Sequence, residues 1–138
     1  MVTLYQRRGA FTNQEANALH AEAFTTRVSD QSEWNWVELV HRYSLGWVVA
    51  REGAELVGFV NVLWDGLVHA WLQDTMVAAN ARGTGIGTQL VACARDGAKA
   101  AGCEYLHVDF EDHLRPFYFG ACGFVPTNAG LLSLGSAP

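Results

Sequence analysis

Along this chain the spacing of apolar residues changes period several times, and each change marks a new element. Val2-Thr3-Leu4-Tyr5-Gln6 alternates apolar with polar residues and predicts a first strand. Thr12 followed by Glu15 has the form of a capping box. Ala16, Leu19, Ala23 and Phe24 then recur at helical spacing, so a helix runs to about Thr25. A loop rich in Ser, Asp and Gln leads to a second helix with an apolar stripe of Trp34, Val37, Leu39, Val40 and Tyr43, capped by Asp30 or Ser32.

From Gly46 the period drops to two. Trp47 to Arg51 and Leu56 to Leu63 are β-rich runs joined by Glu52-Gly53-Ala54-Glu55, a hairpin with a Gly-containing turn. Asp65-Gly66 marks a second turn, and Val68 to Val77 supplies a third antiparallel strand. Ile86, Leu90, Val91, Ala94 and Ala98 then share one face of a helix that Gly102 ends, and Tyr105 to Phe110 reads as a strand. A short helix over Leu114 to Ala121 and short strands at Phe124-Val125 and Leu131 to Leu134 close the chain. The pattern is that of an α/β domain in which an antiparallel meander continues into a strand, helix, strand crossover.

Composition narrows the partners. With 138 residues, half of them hydrophobic, the chain fits one domain, residues 1–138, that buries about two-thirds of its unfolded surface. A net charge of −5 with no Lys/Arg run argues against a nucleic-acid partner and mildly favours cationic or amine ones. Cys93, Cys103 and Cys122 are odd in number and lack CxxC spacing, which fits reduced thiols in a cytoplasm better than a disulfide framework or a metal cluster. No leader-like segment and no membrane-length apolar run is visible, so a soluble, cytoplasmic chain without a membrane partner is expected.

The most informative segment is Arg82-Gly83-Thr84-Gly85-Ile86-Gly87, placed where a strand gives way to a helix. Glycines there let the backbone bend sharply and approach a ligand with no Cβ in the way. The first helical N–H groups lack internal partners and carry the positive end of the macrodipole, which makes the turn a cradle for a pyrophosphate; Arg82 adds a charged donor. Thr88 follows Gly87 where a Walker motif needs lysine, so a nucleoside triphosphatase is disfavoured. Thr88 and Leu90 stand where a dinucleotide fingerprint needs its third glycine, and a meander precedes the turn instead of a Rossmann unit. The blander reading, three glycines in a tight loop, stays open at this point.

Leu72 to Val91 closely resembles motif A of the GNAT superfamily of acyl-CoA-dependent N-acyltransferases. Its Arg/Gln-x-x-Gly-x-Gly/Ala pattern is met by Arg82, Gly85 and Gly87, five residues after Val77. Arg115-Pro116-Phe117-Tyr118 and Cys122-Gly123-Phe124 resemble the family's motif B, and Gly46 to Trp64 its central hairpin. The resemblance implies a central, mixed but mostly antiparallel sheet, flanked by helices and splayed between its two middle strands. It implies that the main chain at Met76 and Val77 pairs with the pantetheine arm of acetyl-CoA. By the same resemblance the amides of Arg82, Gly83, Thr84, Gly85, Ile86, Gly87 and Thr88 hold the pyrophosphate.

Acyl transfer to an amine needs a neutral nucleophile, a stabilised oxyanion and a proton for the departing thiolate. In the family a motif B tyrosine commonly supplies that proton, and Tyr118 resembles it. The usual tyrosine stands four residues before the Gly of Gly-Phe, whereas Tyr118 stands five before Gly123, with Phe119 in the family's slot. Either Gly120 absorbs an extra residue or the acid is missing. For the base, the family's strand positions hold Trp71 and Gln73 here, which cannot take a proton at neutral pH. His69 shares their strand face and is the expected base; Asp74 has the opposite parity unless a bulge intervenes. Asp109, Glu111, Asp112 and His113 form either an anionic rim for an ammonium or a solvated loop in which Asp112 caps a helix. Of the five tryptophans most are expected in the core, with Trp34, Trp36 or Trp64 available to line an apolar acceptor pocket. The expected reaction is transfer of an acetyl group from acetyl-CoA to a primary amine of a small molecule or peptide, without a metal. A non-catalytic acyl-CoA sensor is the alternative, and the oligomeric state, homodimer included, is left open.

Overall fold

The computed structural model describes residues 2–135. Five strands form one sheet in the order β1 (Thr3–Arg7), β2 (Ser44–Glu52), β3 (Glu55–Trp64), β4 (His69–Val77) and β5 (Tyr105–Val108). The first four run antiparallel to their neighbours and β5 is parallel to β4. Two helices, α1 (Asn13–Phe24) and α2 (Trp36–Tyr43), precede β2, and α3 (Ile86–Ala100) crosses from β4 to β5. The helices divide between the faces of the sheet. On β3, Gly58 looks onto Leu90 and Ile86 of α3, while its neighbour Phe59 meets the Trp36 ring of α2 at 6.0 Å. The meander and crossover are those the sequence pattern predicts, and the mixed, mostly antiparallel sheet flanked by helices is the one the family resemblance implies.

Local signals set the N-terminal half. Thr12 Oγ1 accepts from the Glu15 amide at 3.1 Å and the Glu15 carboxylate accepts from the Thr12 amide at 3.0 Å, so the capping box starts α1 as expected. Glu15 also holds Arg51 of β2 in a bidentate pair at 2.7 and 2.9 Å, which fastens the first turn of α1 to the sheet. The cap of α2 is Asn35, neither Asp30 nor Ser32. Asp30 spends its carboxylate on the Ser32 and Glu33 amides in the preceding turn. That shift leaves Trp36 and Val40 as the buried face of α2, with Trp34 and Tyr43 exposed. The Trp36 indole N–H donates to Asn17 Oδ1 at 2.9 Å, and Asn17 Nδ2 donates to the Trp34 carbonyl at 3.2 Å, so this buried amide joins α1 to the loop before α2. Core and surface thus split the tryptophans, with Trp36 and Trp47 buried and Trp34, Trp64 and Trp71 exposed.

The C-terminal third departs from expectation. β5 stops at Val108, the short helix resolves into a 3-10 turn (Asp112–Leu114) and a π-helix (Pro116–Ala121), and neither Phe124-Val125 nor Leu131 to Leu134 forms a strand. Short β-prone runs become strands only when a neighbour supplies the ladder, and Pro126 withholds an N–H beside the first of them. β5 is therefore an edge strand among the described residues, and the sheet opens between β4 and an edge strand, not between two middle strands.

Replacing Glu15 with alanine removes the cap partner and the ion pair, leaving the half-buried Arg51 guanidinium only the Ala10 and Ala54 carbonyls, and is expected to cost about 1–3 kcal/mol in urea unfolding at pH 7. Hydrogen bonds from Arg51 hold the Glu15 carboxyl below its ordinary value. A depressed folded pKa contributes stability above the unfolded value that is lost as pH falls through the folded one. The gap between parent and variant therefore narrows as pH drops below the ordinary glutamate range.

Candidate active site

The pairing of β4 with β5 ends at Leu72 and Val108. From Gln73 to Val77 β4 keeps its β3 partners but presents a free edge on the β5 side, and this is the slot. A bulge lies within that stretch. Phe59 pairs with Met76 and Asn61 with Gln73, so Asp74 and Thr75 together oppose the single residue Val60. Asp74 takes a left-handed conformation, φ 56°, to make the turn. The bulge cancels the parity that set Asp74 against the face of Gln73. Its carboxyl is largely buried within range of His20 on α1; burial pushes its pKa up and the His20 charge offsets only part of that rise.

At the end of β4 the chain passes through a 3-10 turn (Ala79–Ala81) into the glycine turn. Gly83 and Gly85 adopt φ of 76° and 86°, and a Cβ at either would meet open space. The first helical amide with a backbone acceptor is that of Gln89, donating to Gly85 O at 3.1 Å. Among the described residues the amides of Gly83 to Thr88 have none. Six successive donors at a helix N-terminus, with open space at Gly83 and Gly85, fit an anionic pyrophosphate. Gly87 serves packing, since a Cβ there would lie 3.1 Å from the Phe117 ring. Arg82 donates to the Glu22 and Ala23 carbonyls at the end of α1, each at 3.4 Å, and the Glu22 carboxylate accepts from the Ala79 amide at 2.6 Å.

The π-helix settles where the motif B tyrosine points. Its defining bond, Cys122 N–H to Phe117 O at 2.9 Å, spans five residues where an α-turn spans four, so one extra residue fits within the turn. Tyr118 consequently faces inward. Its ring stacks on Phe110 at 4.6 Å and its hydroxyl donates to Thr75 Oγ1 in the β4 bulge at 3.2 Å. Burial raises the phenol pKa and the Thr75 contact offsets part of the rise. Phe119, in the slot the motif assigns to tyrosine, instead packs edge-on against Phe110 and under Arg115.

A model of the acetyltransferase (GNAT) family matches residues 13–124. The chain belongs to this family. Solved structures agree in fold at low identity. A protein of unknown function from meticillin-resistant Staphylococcus aureus superposes with a TM-score of 0.78 at 18% identity, covering 98% of this chain and 100% of that one. Glucosamine-6-phosphate N-acetyltransferase from Arabidopsis thaliana gives 0.75 at 16%, over 96% and 99%. AAC(6')-Iy, solved with the bisubstrate analogue CoA-S-monomethyl-acetylneamine, gives 0.77 at 16%, over 99% and 100%. No curated protein sequence matches.

Within this GNAT domain His69 stands at the outer end of the β4–β5 pairing, three residues before the last rung at Leu72. It pairs with Tyr105 at the first rung of β4–β5, about 17 Å of strand from Asp74. Its Nδ1 is 2.8 Å from His107 Nε2. His107, which the strand pattern alone did not single out, pairs with Trp71 one rung before the slot. The only sequence signal for it was period-two parity on a strand whose register depends on the α3 crossover. The acidic segment is solvent-exposed. Asp112 caps nothing and pairs with Arg115 at 2.7 Å, while Glu111 stands 3.6 Å from His113. All three cysteines are free, and no group of three or more His, Cys, Asp or Glu among the described residues could hold a metal. No described helix is long and apolar enough to cross a membrane. A cavity of about 390 Å³, lined by Arg7, Val48, Trp64, Cys93 and Gly97, lies under the C-terminal half of α3, at the far end of that helix from the glycine turn.

Asp74→Asn is expected to raise stability in urea at pH 7 to 8. A carboxyl whose folded pKa is raised weakens the native state as pH climbs through the window between its unfolded and folded values. The variant's advantage should shrink as pH falls below the ordinary aspartate range, a difference that paired melts at pH 3.5 and 7.5 would register.

Proposed function

We propose that this domain transfers an acetyl group from acetyl-CoA to a primary amine of a small molecule or peptide, by direct attack within a ternary complex. The observation that carries this reading is the pair of features flanking one slot: a row of unpartnered amides at Gly83 to Thr88, and the Tyr118 hydroxyl reaching Thr75. Acetyl-CoA supplies the activated thioester. Arg82, Gly83, Thr84, Gly85, Ile86, Gly87 and Thr88 form the pyrophosphate turn, with main-chain amides as donors. Because Arg82 already ties the turn to α1, its part is to hold the loop's shape more than to contact the phosphates. The free edge at Met76 and Val77 offers strand-like hydrogen bonds to the amides of the pantetheine arm.

Tyr118 acts as the general acid. A phenol whose pKa is raised by burial suits a proton donor to a departing thiolate, and its hydrogen bond to Thr75 in the bulge puts it beside the free β4 edge. Asp74 replaces His69 as the group that takes the proton of the incoming ammonium. Its raised pKa makes it a better base than an ordinary carboxylate. The glucosamine-6-phosphate and neamine-linked relatives support a small amine as acceptor. A non-catalytic sensor was motivated by the displaced tyrosine and the missing strand carboxylate. The π-turn and the bulged Asp74 weaken both grounds.

CoA or acetyl-CoA at a hundredfold excess over Kd is expected to stabilise the protein by about 2.7 kcal/mol, read as a rise in Tm. Gly85→Asp should remove that rise, because a negative side chain would enter the pyrophosphate's place while its left-handed backbone is one Asp tolerates. A full CoA shift in this variant would show that the turn is not the cradle.

Tyr118→Phe deletes one hydroxyl and is expected to lower kcat by a factor of about 10² to 10⁴ with CoA affinity retained. Stopped-flow detection of thiol release alongside CoA titration separates the two quantities, and unchanged kcat would remove the acid role from Tyr118.

A further inference from the structure

Beside the slot, on the face of the sheet that carries α1 and α2, lies a row of partly exposed rings. Trp71 and His107 are 5.0 Å apart with planes 18° from parallel, His69 and Tyr105 are 5.1 Å apart at 19°, and His69 and His107 are 5.0 Å apart at 28°. Trp71 is 39% exposed and Tyr105 58%. The helices on this face leave the patch bare: α1 packs on β3 and β4, at the Asp74 and Ala79 end of β4, and α2 packs on β2 and β3. Exposed aromatic area of this kind costs hydration free energy that the fold does not recover for itself.

Three placements say what it meets. The patch is continuous with the slot, because Trp71 and His107 form the rung immediately before the Leu72–Val108 rung at which the strands part. Trp71 and Gln73 share a face, and Asp74 lies three residues, about 10 Å, beyond Trp71. Two exposed acidic groups, Asp109 and Glu111, follow β5 just past the Val108 rung, and negative charge near the opening favours a cation. A molecule whose ammonium sits at Asp74 therefore extends its other end across Trp71 and His107.

We propose that the acceptor is an amine carrying a planar aromatic ring on a linker of a few carbons, with the ring resting against Trp71 and His107. This inference rests on the N-acetyltransferase reading and narrows its substrate class. Offset or edge contact between rings adds to the area they bury, which an aliphatic chain cannot match. Trp71 is then a specificity-determining residue. His69 is a positioning residue, whose contact with His107 Nε2 fixes the plane of that ring.

The test compares kcat/KM for 4-phenylbutylamine and hexylamine with acetyl-CoA in the parent, Trp71→Ala and Trp71→Phe. The ratio of the two values is independent of how much of a variant is folded. The parent should prefer the aryl amine by about tenfold or more, Trp71→Ala should bring the ratio close to unity, and Trp71→Phe should restore most of it. Equal use of both amines by the parent, or a preference that survives Trp71→Ala, overturns the aromatic acceptor and leaves the acetyltransferase reading intact. Turnover of neither amine nor any other amine by a protein that binds CoA overturns both.

Discussion

Two residues of β4, Asp74 and Thr75, cover the length that Val60 covers alone on β3, and the site is arranged around that mismatch. A regular ladder would carry β4 straight past β5 with every group paired. The bulge twists the strand just where its β5 partner stops, so main-chain groups from Gln73 to Val77 are left available on one side. It also turns a carboxyl inward that plain alternation would send to the other face, and it offers the Thr75 hydroxyl to Tyr118. The cost is a non-glycine residue in the left-handed region and a buried acid, both local strains that the surrounding sheet and α1 hold in place.

The N-terminal helices serve the same end from the other side. α1 begins under the control of Thr12, Glu15 and Arg51, and it finishes against the glycine turn, where Glu22 accepts from Ala79 and Arg82 donates to the last carbonyls of the helix. One helix therefore joins the β2 strand to the mouth of the turn. The basic residue of motif A closes the C-terminal end of a helix here, a placement that its charge favours independently of any ligand.

What could be read from the chain was what short spacings determine. Thr12 and Glu15, the Glu52-Gly53-Ala54-Glu55 hairpin and the Gly83-Thr84-Gly85 turn carry their geometry in neighbouring residues, and each forms as expected. The cap of α2 was misread because Asp30 and Asn35 are both good caps, and Asp30 is used up by a closer turn. The placement of His69 and the importance of His107 depend on the β4–β5 register, which the length of the α3 crossover sets and no local pattern records. Asp74 depended on a bulge that period-two counting assumes away. The strands foreseen at Phe124-Val125 and Leu131 to Leu134 needed a partner that the described chain does not give them.

The π-turn at Phe117 to Cys122 decides which aromatic side chain faces the β4 bulge. Cys122 N–H reaches back five residues to Phe117 O, and Phe124 N–H reaches back six to Tyr118 O at 2.9 Å. A wider loop of backbone holds one residue more than an α-turn, and within it the phenol reaches Thr75 while the Phe124 ring meets the Tyr118 ring edge-on. Phe119, one residue further along the turn, has its ring turned to Arg115. In this turn the direction of a side chain follows the five-residue hydrogen bond more than its count from Gly123.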